Sequence, residues 1–309
     1  MSVALYMHDD GLNHVTPEGH PEQVARLRHI ARALSVPAFD ALERRTMPQC
    51  DDADIGLCHP QTYVDRIKDA VPQAGLTRLD EDTWLSPGSM SAARRAVGGA
   101  IAAVDAVLDG AVGKAFVATR PPGHHAETAK PMGFCLFGNV AIAARHAMER
   151  RGLARVAIVD FDVHHGNGTQ DLLWNEDRAL FIGSHQSPLW PGSGRAAETG
   201  AHDNVMNIEL PPHSTGTEMR AAYETRVFPA LDAFAPELIL VSAGFDAHAD
   251  DPLAQLNWQT DDYVWLTENL CALAARHCGG KLVSILEGGY NLEALADATA
   301  AHVGALMAA

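Results

Sequence analysis

Acidic and histidine side chains alternate in the segment D-F-D-V-H-H-G-N-G, which begins at Asp160. Alternate residues of an extended chain point the same way, so Asp160, Asp162 and His164 can share one face. Carboxylate and imidazole groups suit zinc, and a catalytic zinc takes three protein ligands and keeps one position open. Asp246, in S-A-G-F-D-A-H-A-D-D, is the best candidate for the third ligand. We therefore expect Asp162, His164 and Asp246 to hold a metal ion, although each alone could be a structural histidine or a helix-capping aspartate.

Two further motifs carry groups that could act beside such a metal. His124 and His125 follow two prolines and a glycine in R-P-P-G-H-H-A-E. Imidazoles titrate near neutral pH, so one of the pair should act as a general base; a second metal site or a surface pair is the alternative. Tyr290, in L-E-G-G-Y-N, follows two glycines that let a loop fold close to the metal. Its phenol could donate a hydrogen bond to an oxygen that gains negative charge, as an oxyanion hole does, or it could simply pack in the core.

The segments between these motifs determine where the motifs must lie. Buried strands are predicted at Val3–Met7, Phe116–Thr119, Val156–Asp160, Leu180–Gly183, Val205–Ile208, Leu238–Val241 and Leu282–Leu286. Helices are predicted at Ser89–Asp109, Asn139–Arg151, Thr217–Phe234 and Asp261–His277. This alternation predicts an α/β fold, a mostly parallel sheet with helices on both faces. The polar motifs each follow a strand, and ligands of such sheets bind beyond the carboxyl ends of the strands, so we expect the motifs to converge there.

The length, charge and cysteine content of the chain limit the classes of protein to which it can belong. The chain has 309 residues, of which 47% are apolar and 20% charged, with no repeat or linker, so we expect a single domain over residues 1–309. A formal charge of −16 argues against direct binding of nucleic acid. The five cysteines form no C-x-x-C pair, and no segment has the length of a signal peptide or membrane span. We therefore expect a cytoplasmic protein that does not bind membranes; the sequence leaves open whether it forms a homo-oligomer.

The combined motifs resemble those of one known family. R-P-P-G-H-H-A-E, G-F-C-L-F-G-N-V-A-I-A-A-R-H-A, D-F-D-V-H-H-G-N-G-T-Q, S-A-G-F-D-A-H-A-D-D-P-L and L-E-G-G-Y-N-L occur in the order, and at roughly the spacing, seen in the histone deacetylase superfamily. From about Gly19 to its end, the chain resembles the class II and bacterial members, the histone deacetylase-like amidohydrolases, more than class I. The resemblance implies the arginase/deacetylase three-layer fold and a zinc-dependent deacetylase that acts on the linear amide of acyl-lysine or a similar acyl-amine.

The resemblance also assigns roles to single residues. It implies that Asp162, His164 and Asp246 hold zinc. The sequence leaves open whether the native metal is zinc or iron. The resemblance implies that His125 is the general base and acid, that His124 is its electrostatic partner and that Tyr290 is the oxyanion donor. Asp160 would hydrogen-bond one catalytic histidine, and Asn167 stands where class I members carry Asp and class II members commonly carry Asn.

Two further features of the family are implied. One is a structural potassium ion near Asp160, Asp162, His164 and Ser184, although Gly183 occupies a position that is serine in relatives. The other is an acyl-lysine tunnel, whose residues correspond to Gly133, Phe134, Trp190 and Leu253. Flat apolar walls suit a methylene chain and leave the amide as the polar group at the metal end.

Three rival functions remain open at this point. An acetylpolyamine amidohydrolase is the nearest, because this related branch uses an acidic gatekeeper in some members, where Leu253 stands here with Asp250 and Asp251 close by. A binuclear manganese ureohydrolase is more distant and rests on the motif D-A-H-A-D from Asp246 to Asp250. The third is an inactive module that binds acylated lysine.

Overall fold

A parallel sheet of eight strands forms the centre of the molecule, as seen in a computed structural model that describes residues 2–309. The strands are β1 Val3–Met7, β2 Glu43–Thr46, β5 Lys114–Val117, β6 Val156–Asp160, β7 Ala179–Gln186, β8 Val205–Leu210, β9 Leu238–Ala243 and β10 Leu282–Leu286, and a separate antiparallel pair is formed by β3 Thr77–Arg78 and β4 Trp84–Leu85. The order across the large sheet is β2-β1-β5-β10-β9-β6-β7-β8, and every neighbouring pair is parallel.

Ten α-helices surround the sheet in the described residues. They are α1 Ala25–Ala33, α2 Asp52–Ile55, α3 Gln61–Ala70, α4 Ser89–Leu108, α5 Asn139–Glu149, α6 Asn167–Leu173, α7 Gly216–Ala222, α8 Phe228–Phe234, α9 Thr260–Cys278 and α10 Leu292–Ala308. One apolar core packs the sheet against α1 and α7 to α10, and a second packs the opposite face against α4 to α6. The three-layer arrangement confirms the predicted fold class.

Both faces of the sheet are buried because the strands are apolar at nearly every position. In β9, Ile239 and Val241 belong to one core, whereas Leu238 and Leu240 belong to the other. A strand covered on both sides needs a continuous apolar run rather than alternation, which is why the sequence reveals these strands as short apolar segments.

The predicted elements are present, with shifts at their ends and one interruption. The strand predicted at Phe116–Thr119 lies two residues earlier, at Lys114–Val117. The helix predicted at Thr217–Phe234 is divided by a π-helical turn at Tyr223–Val227, where the backbone accommodates one extra residue between α7 and α8. The edge strand β2 was not predicted, because its sequence E-R-R-T is charged and largely exposed.

The topology brings the four polar motifs together at one edge. β5, β10, β9 and β6 are consecutive in the sheet, and they lead into the loops that carry His124, Tyr290, Asp246 and Asp162, respectively. All four strands are parallel, so their carboxyl ends lie at the same edge, as the sequence predicts.

Within residues 2–309, no helix combines the length and apolar character that a membrane span requires.

Candidate active site

Three predicted metal ligands converge at the carboxyl ends of β6 and β9. One ligand atom each of Asp162, His164 and Asp246 lies within 4.8 Å of the other two. Nδ1 of His164 is 3.2 Å from an oxygen of Asp162 and 3.2 Å from an oxygen of Asp246. The two carboxylates are buried and the imidazole is largely so. The distances and the donor types therefore fit a zinc ion with three protein ligands.

Backbone N–H groups hold the two carboxylates in place. The amide of Gly288 donates to Asp162 at 2.8 Å, and the amide of Val163 donates to Asp246 at 2.9 Å. A Cβ atom on Gly288 would lie 2.1 Å from an Asp246 oxygen, and one on Gly244 would lie 2.1 Å from an Asp162 oxygen. Both positions therefore require glycine if the carboxylates are to lie this close to the backbone of the two loops.

The charge balance of this cluster favours a cation. Burial lowers the pKa of His164, but hydrogen bonds to Asp162 and Asp246 outweigh burial and raise that pKa to about 10. The space between the three side chains thus attracts positive charge, which either a proton on the imidazole or a bound metal ion can supply. Metal binding requires the neutral imidazole, so an ion would replace the proton.

The amide of Asn167 fixes which nitrogen of His125 carries a proton. Nδ2 of Asn167 donates to the carboxylate of Glu127 at 2.8 Å, so its Oδ1 is the atom that faces Nδ1 of His125 at 2.8 Å. An amide oxygen only accepts, and Nδ1 of His125 therefore carries the hydrogen. In the neutral ring, Nε2 is left with a free electron pair that can accept a proton.

His124 has the opposite electrostatic environment. Its Nδ1 lies 3.0 Å from Asp160, and its Nε2 lies 3.7 Å from Asp162. Burial lowers the pKa of His124, but Asp162, Asp160 and Glu287 outweigh burial and raise it well above the usual value. Burial, with the positive charges of His124 and His164, holds the pKa of His125 well below the usual value. His124 is therefore suited to stay positively charged, whereas His125 is suited to act as a neutral base.

A cavity of about 340 Å³ leads from the surface to these groups. Its lining contains the predicted residues His125, His164, Gly133, Phe134, Trp190, Leu253 and Tyr290, together with His20, Pro21, Glu81, Asp82, Trp84 and Leu189. Trp190 and Leu253 are partly exposed, 42% and 36%, as residues at the mouth of a tunnel would be. All four predicted tunnel residues thus lie in one cavity that ends at His125 and His164.

The backbone shapes the tunnel wall at Gly133 and Phe134. Gly133 has a φ of 54°, and a Cβ atom there would lie 2.5 Å from the His125 ring and 2.6 Å from the Trp190 ring. Phe134 also has a positive φ, 68°, and its amide donates to the hydroxyl of Thr83 at 3.1 Å. The loop before β4 therefore supports the tunnel wall, a role that sequence reasoning missed.

A buried ion cluster behind the site was also missed. Glu22 contacts Arg26 at 3.0 Å and Arg120 at 2.7 Å, and all three side chains are fully buried. Arg120 begins the loop of His124, and Arg26 donates to the carbonyls of Glu287 and Gly289 in the loop of Tyr290. The cluster therefore connects two loops of the site.

Glu287 adds a second connection between these two loops. Its carboxylate accepts from the amides of Gly123 and His124 at 2.7 and 3.1 Å. The residue is fully buried and comes directly before the Gly-Gly-Tyr sequence of the loop. The only sequence signal for Glu287 is its unusual place as an acid at the end of an apolar strand.

Comparisons of the sequence and of the fold with known proteins show similarity to one protein family. Residues 20–306 match the family model of the histone deacetylase domain. An uncharacterized protein of Synechocystis is 43% identical over 298 residues, which cover 95% of this chain and 96% of that protein. The histone deacetylase-like amidohydrolase of Pseudomonas aeruginosa is 40% identical over 278 residues, 88% of this chain and 73% of its relative. The crystal structure of the HDA15 HD domain matches with a TM-score of 0.93 and 32% identity, covering 99% of this chain and 88% of that one.

The similarity in sequence and fold includes all four loops that form the site. It therefore identifies the chain as a member of the histone deacetylase family, hydrolases that act on acyl amides.

Proposed function

We propose that the chain is a zinc-dependent deacylase that removes an acyl group from the side-chain amine of lysine or a closely similar amine. The observation that carries the proposal is the convergence, at the end of one tunnel, of the Asp162, His164 and Asp246 cluster with His125 and Tyr290. We further propose that residues 1–309 act as one catalytic domain, because strands from both ends of the sequence share the same sheet.

The proposed mechanism assigns a task to each side chain. Zinc held by Asp162, His164 and Asp246 would supply the Lewis acidity that polarises the amide carbonyl and lets water attack near neutral pH. His125 accepts the proton of the attacking water at Nε2, the nitrogen left free by the bond from Nδ1 to Asn167. The phenol of Tyr290 donates a hydrogen bond to the oxygen that gains negative charge. His125 then returns the proton to the leaving amine nitrogen.

Two residues support His125 in this scheme. His124, held by Asp160, carries positive charge next to His125 and favours the neutral form of that ring before attack. Asn167 keeps the ring in one tautomer and orientation. In the proposal Asp160 and Asn167 therefore act through the histidines rather than on the substrate.

The tunnel supports a long, apolar substrate side chain. Phe134 and Trp190 line it with aromatic surface, and its lining includes no lysine or arginine among the described residues. A methylene chain gains free energy by packing against such walls, and the amide then reaches the polar end. These features favour acyl-lysine in a peptide, with Leu253 at the mouth as an apolar contact.

One observation favours an acetylpolyamine as the second candidate. Glu81 and Asp82 line the same cavity, and their carboxylates would attract the ammonium groups of a polyamine. The apolar gatekeeper Leu253 favours acyl-lysine instead. Turnover of an acetyl-lysine peptide and of acetylputrescine, measured side by side, distinguishes the two.

The other two rival functions have less support. Of the motif D-A-H-A-D, only Asp246 joins the metal cluster: Asp250 is 73% exposed, and His248 contacts Asp250 and Thr260 instead. A binuclear site would need further carboxylates close to both ions. An inactive binding module would not need the fixed His125 tautomer, which serves proton transfer.

A structural potassium ion near Asp160 is a further part of the proposal. Asp160 is buried and pairs with Gly183 across the sheet, and the hydroxyl of Ser184 lies 2.8 Å from that of Tyr223. Gly183 offers no side-chain oxygen, so backbone carbonyls would have to supply more of the ligands. An equal melting temperature in potassium and sodium chloride at matched ionic strength would argue against this ion.

A panel assay tests the proposed function. The purified chain is incubated with lysine peptides that carry acyl groups of increasing length and with acetylated polyamines, with and without a chelator, and zinc per chain is measured by mass spectrometry. We expect turnover of at least one acyl-lysine peptide, its loss with chelator, and its return when zinc is restored. A zinc-loaded sample that turns over no member of the panel would contradict the proposal.

A further inference from the structure

Asp251 is a buried carboxylate next to the site that the mechanism above does not use. It is 7% exposed. Its Oδ2 accepts from the backbone amide of Tyr290 at 2.7 Å and from that of Asn291 at 3.4 Å. Its Oδ1 accepts from the amide of Leu253 at 3.0 Å. One carboxylate therefore connects the loop after β9 to the residue that carries the phenol.

The other end of the same peptide unit is held by the guanidinium group of Arg26. The carbonyl of Gly289 accepts from Nε of Arg26 at 2.7 Å, and the peptide that joins Gly289 to Tyr290 continues to the N–H that Asp251 binds. The guanidinium carbon of Arg26 also lies 5.1 Å from the centre of the Tyr290 ring. Because the peptide unit is planar, the guanidinium at its carbonyl and the carboxyl oxygen at its N–H together fix its orientation.

The loop needs such a restraint because its sequence is flexible. Gly289 has a φ of 117°, a conformation that L residues rarely adopt, and a second glycine precedes it. Rotation of the peptide between Gly289 and Tyr290 would swing the phenol away from the end of the tunnel. Displacement of a reacting group by about 1 Å can reduce a rate roughly a hundredfold.

We propose that Asp251 is a positioning residue for the Tyr290 hydroxyl. The inference rests on the proposed role of Tyr290 as the hydrogen-bond donor. Asp251 does not touch the substrate; it acts by holding the backbone from which the phenol extends. The same carboxylate fixes the amide of Leu253, so the mouth and the end of the tunnel share one anchor.

A double-mutant cycle tests this role. The variants are Asp251→Asn, Tyr290→Phe and the two combined. The matched control is Asp250→Asn, which removes the carboxylate of the neighbouring residue, whose side chain is 73% exposed. An asparagine has one accepting oxygen, so it cannot serve the amides of both Tyr290 and Leu253, and its NH₂ group faces one of these donors. Zinc per chain, melting temperature, kcat and KM are measured for each variant.

We expect Asp251→Asn to lower kcat by about 10- to 100-fold in the native background, with zinc content and KM within a few-fold. In the Tyr290→Phe background, Asp251→Asn should lower kcat by less than about threefold, because the hydroxyl that Asp251 positions is already absent. Asp250→Asn should behave like the native chain.

The outcomes of this experiment distinguish a failure of the proposed function from a failure of the positioning role of Asp251. A native chain without deacylase activity contradicts the proposed function, whereas an active chain with an equal Asp251→Asn effect in both backgrounds overturns this inference alone. Tyr290→Phe with full activity overturns the role of Tyr290 and this inference together.

A second variant keeps the test valid if Asp251→Asn does not fold. Asp251→Glu retains the carboxyl group but displaces it by one methylene group, so a folded chain with a smaller loss of kcat is expected. The loss should again be reduced in the Tyr290→Phe background. A loss of equal size in both backgrounds would overturn the inference here as well.

Discussion

Asn167 follows His125 by 42 residues, yet its amide oxygen lies 2.8 Å from Nδ1 of that ring. The contact forms because Asn167 begins α6 at the end of the loop after β6, and His125 lies in the loop after β5. The amides of Gly168 and Thr169, at the start of the same helix, donate to the carbonyl of His124 at 2.9 and 3.1 Å. The first turn of α6 therefore positions both the ring and the backbone of the histidine pair.

The first prediction concerns this contact. Asn167→Leu removes the acceptor without changing the size of the side chain much, so His125 is free to adopt either tautomer. We expect kcat to fall by about 10- to 100-fold with KM changed little. Asn167→Asp keeps an accepting oxygen at the same place but replaces the donor to Glu127 by a second carboxylate, so we expect a loss that is clearly smaller than that of Asn167→Leu. Equal losses in both variants would mean that Asn167 has another role.

A second prediction concerns Tyr290. Tyr290→Phe keeps the ring, the ring contact with Phe134 and the backbone bonds, and it removes only the hydroxyl. Loss of one donor to a developing oxyanion typically costs about 2.7 to 4 kcal/mol, or roughly a hundred- to thousandfold in kcat. Zinc content and melting temperature should remain native. A rate within a few-fold of native would remove Tyr290 from the mechanism.

The third prediction concerns the metal itself. Asp246→Ala deletes one of three ligands and leaves His164 with one carboxylate neighbour. We expect zinc per chain, measured by mass spectrometry after dialysis, to fall from about one to near zero, and activity to fall with it. Asp250→Ala, four residues later and exposed, should bind zinc normally. Retention of zinc by Asp246→Ala would show that the ion is held elsewhere.

The parts of the site that lie at strand ends could be predicted from the sequence. Asp162, Asp246, His125 and Tyr290 follow apolar segments that are recognisable as buried strands, and a parallel sheet brings such ends together. Their chemistry is local in sequence, because each motif is a few residues long. The fold class followed from the same apolar segments.

The supporting residues could not be predicted because their partners are distant in sequence. Arg26 donates to the carbonyl of Gly289, 263 residues away, and nothing near Arg26 indicates this partner. The sequence shows Asp251 only as an acidic residue near the gatekeeper, whereas its carboxyl group faces the backbone of Tyr290. Contacts to backbone atoms carry no side-chain pattern, so the sequence records them poorly.

A fourth prediction concerns the width of the tunnel. In Gly133→Ala the added methyl group would meet the rings of His125 and Trp190 at 2.5 and 2.6 Å, and the positive φ adds strain. Overpacking of this kind costs about 1 to 3 kcal/mol of folding free energy. Displacement of a reacting group such as the His125 ring by about 1 Å can reduce a rate roughly a hundredfold, so we expect kcat/KM to fall by about 10- to 100-fold. Gly75→Ala is the matched control, because Gly75 also has a positive φ, 72°, but has nothing within 4 Å. If the control loses as much activity as Gly133→Ala, backbone strain rather than crowding explains the loss.

The last prediction concerns the buried cluster of Glu22, Arg26 and Arg120. Burial raises the pKa of Glu22, but the charge and hydrogen bonds of Arg120, followed by the charge of Arg26, outweigh burial and hold that pKa well below its usual value of 4.5. A carboxyl with a depressed folded pKa contributes stability above its unfolded pKa and loses it as the pH falls toward the folded value. Glu22→Gln leaves two buried guanidinium groups without their carboxylate, and breaking such a pair costs about 3 to 5 kcal/mol.

Unfolding by urea, followed by circular dichroism at several pH values, measures both effects. At pH 7 we expect Glu22→Gln to be much less stable than the native chain. As the pH falls from about 5 to 3, the native chain should lose stability more steeply than the variant, because only the native chain takes up a proton at Glu22 on unfolding. Since Glu22 connects the loops of His124 and Tyr290 through the two arginines, kcat of the variant should also fall at temperatures where it is still folded. Parallel pH profiles of stability for the two chains would contradict this account of Glu22.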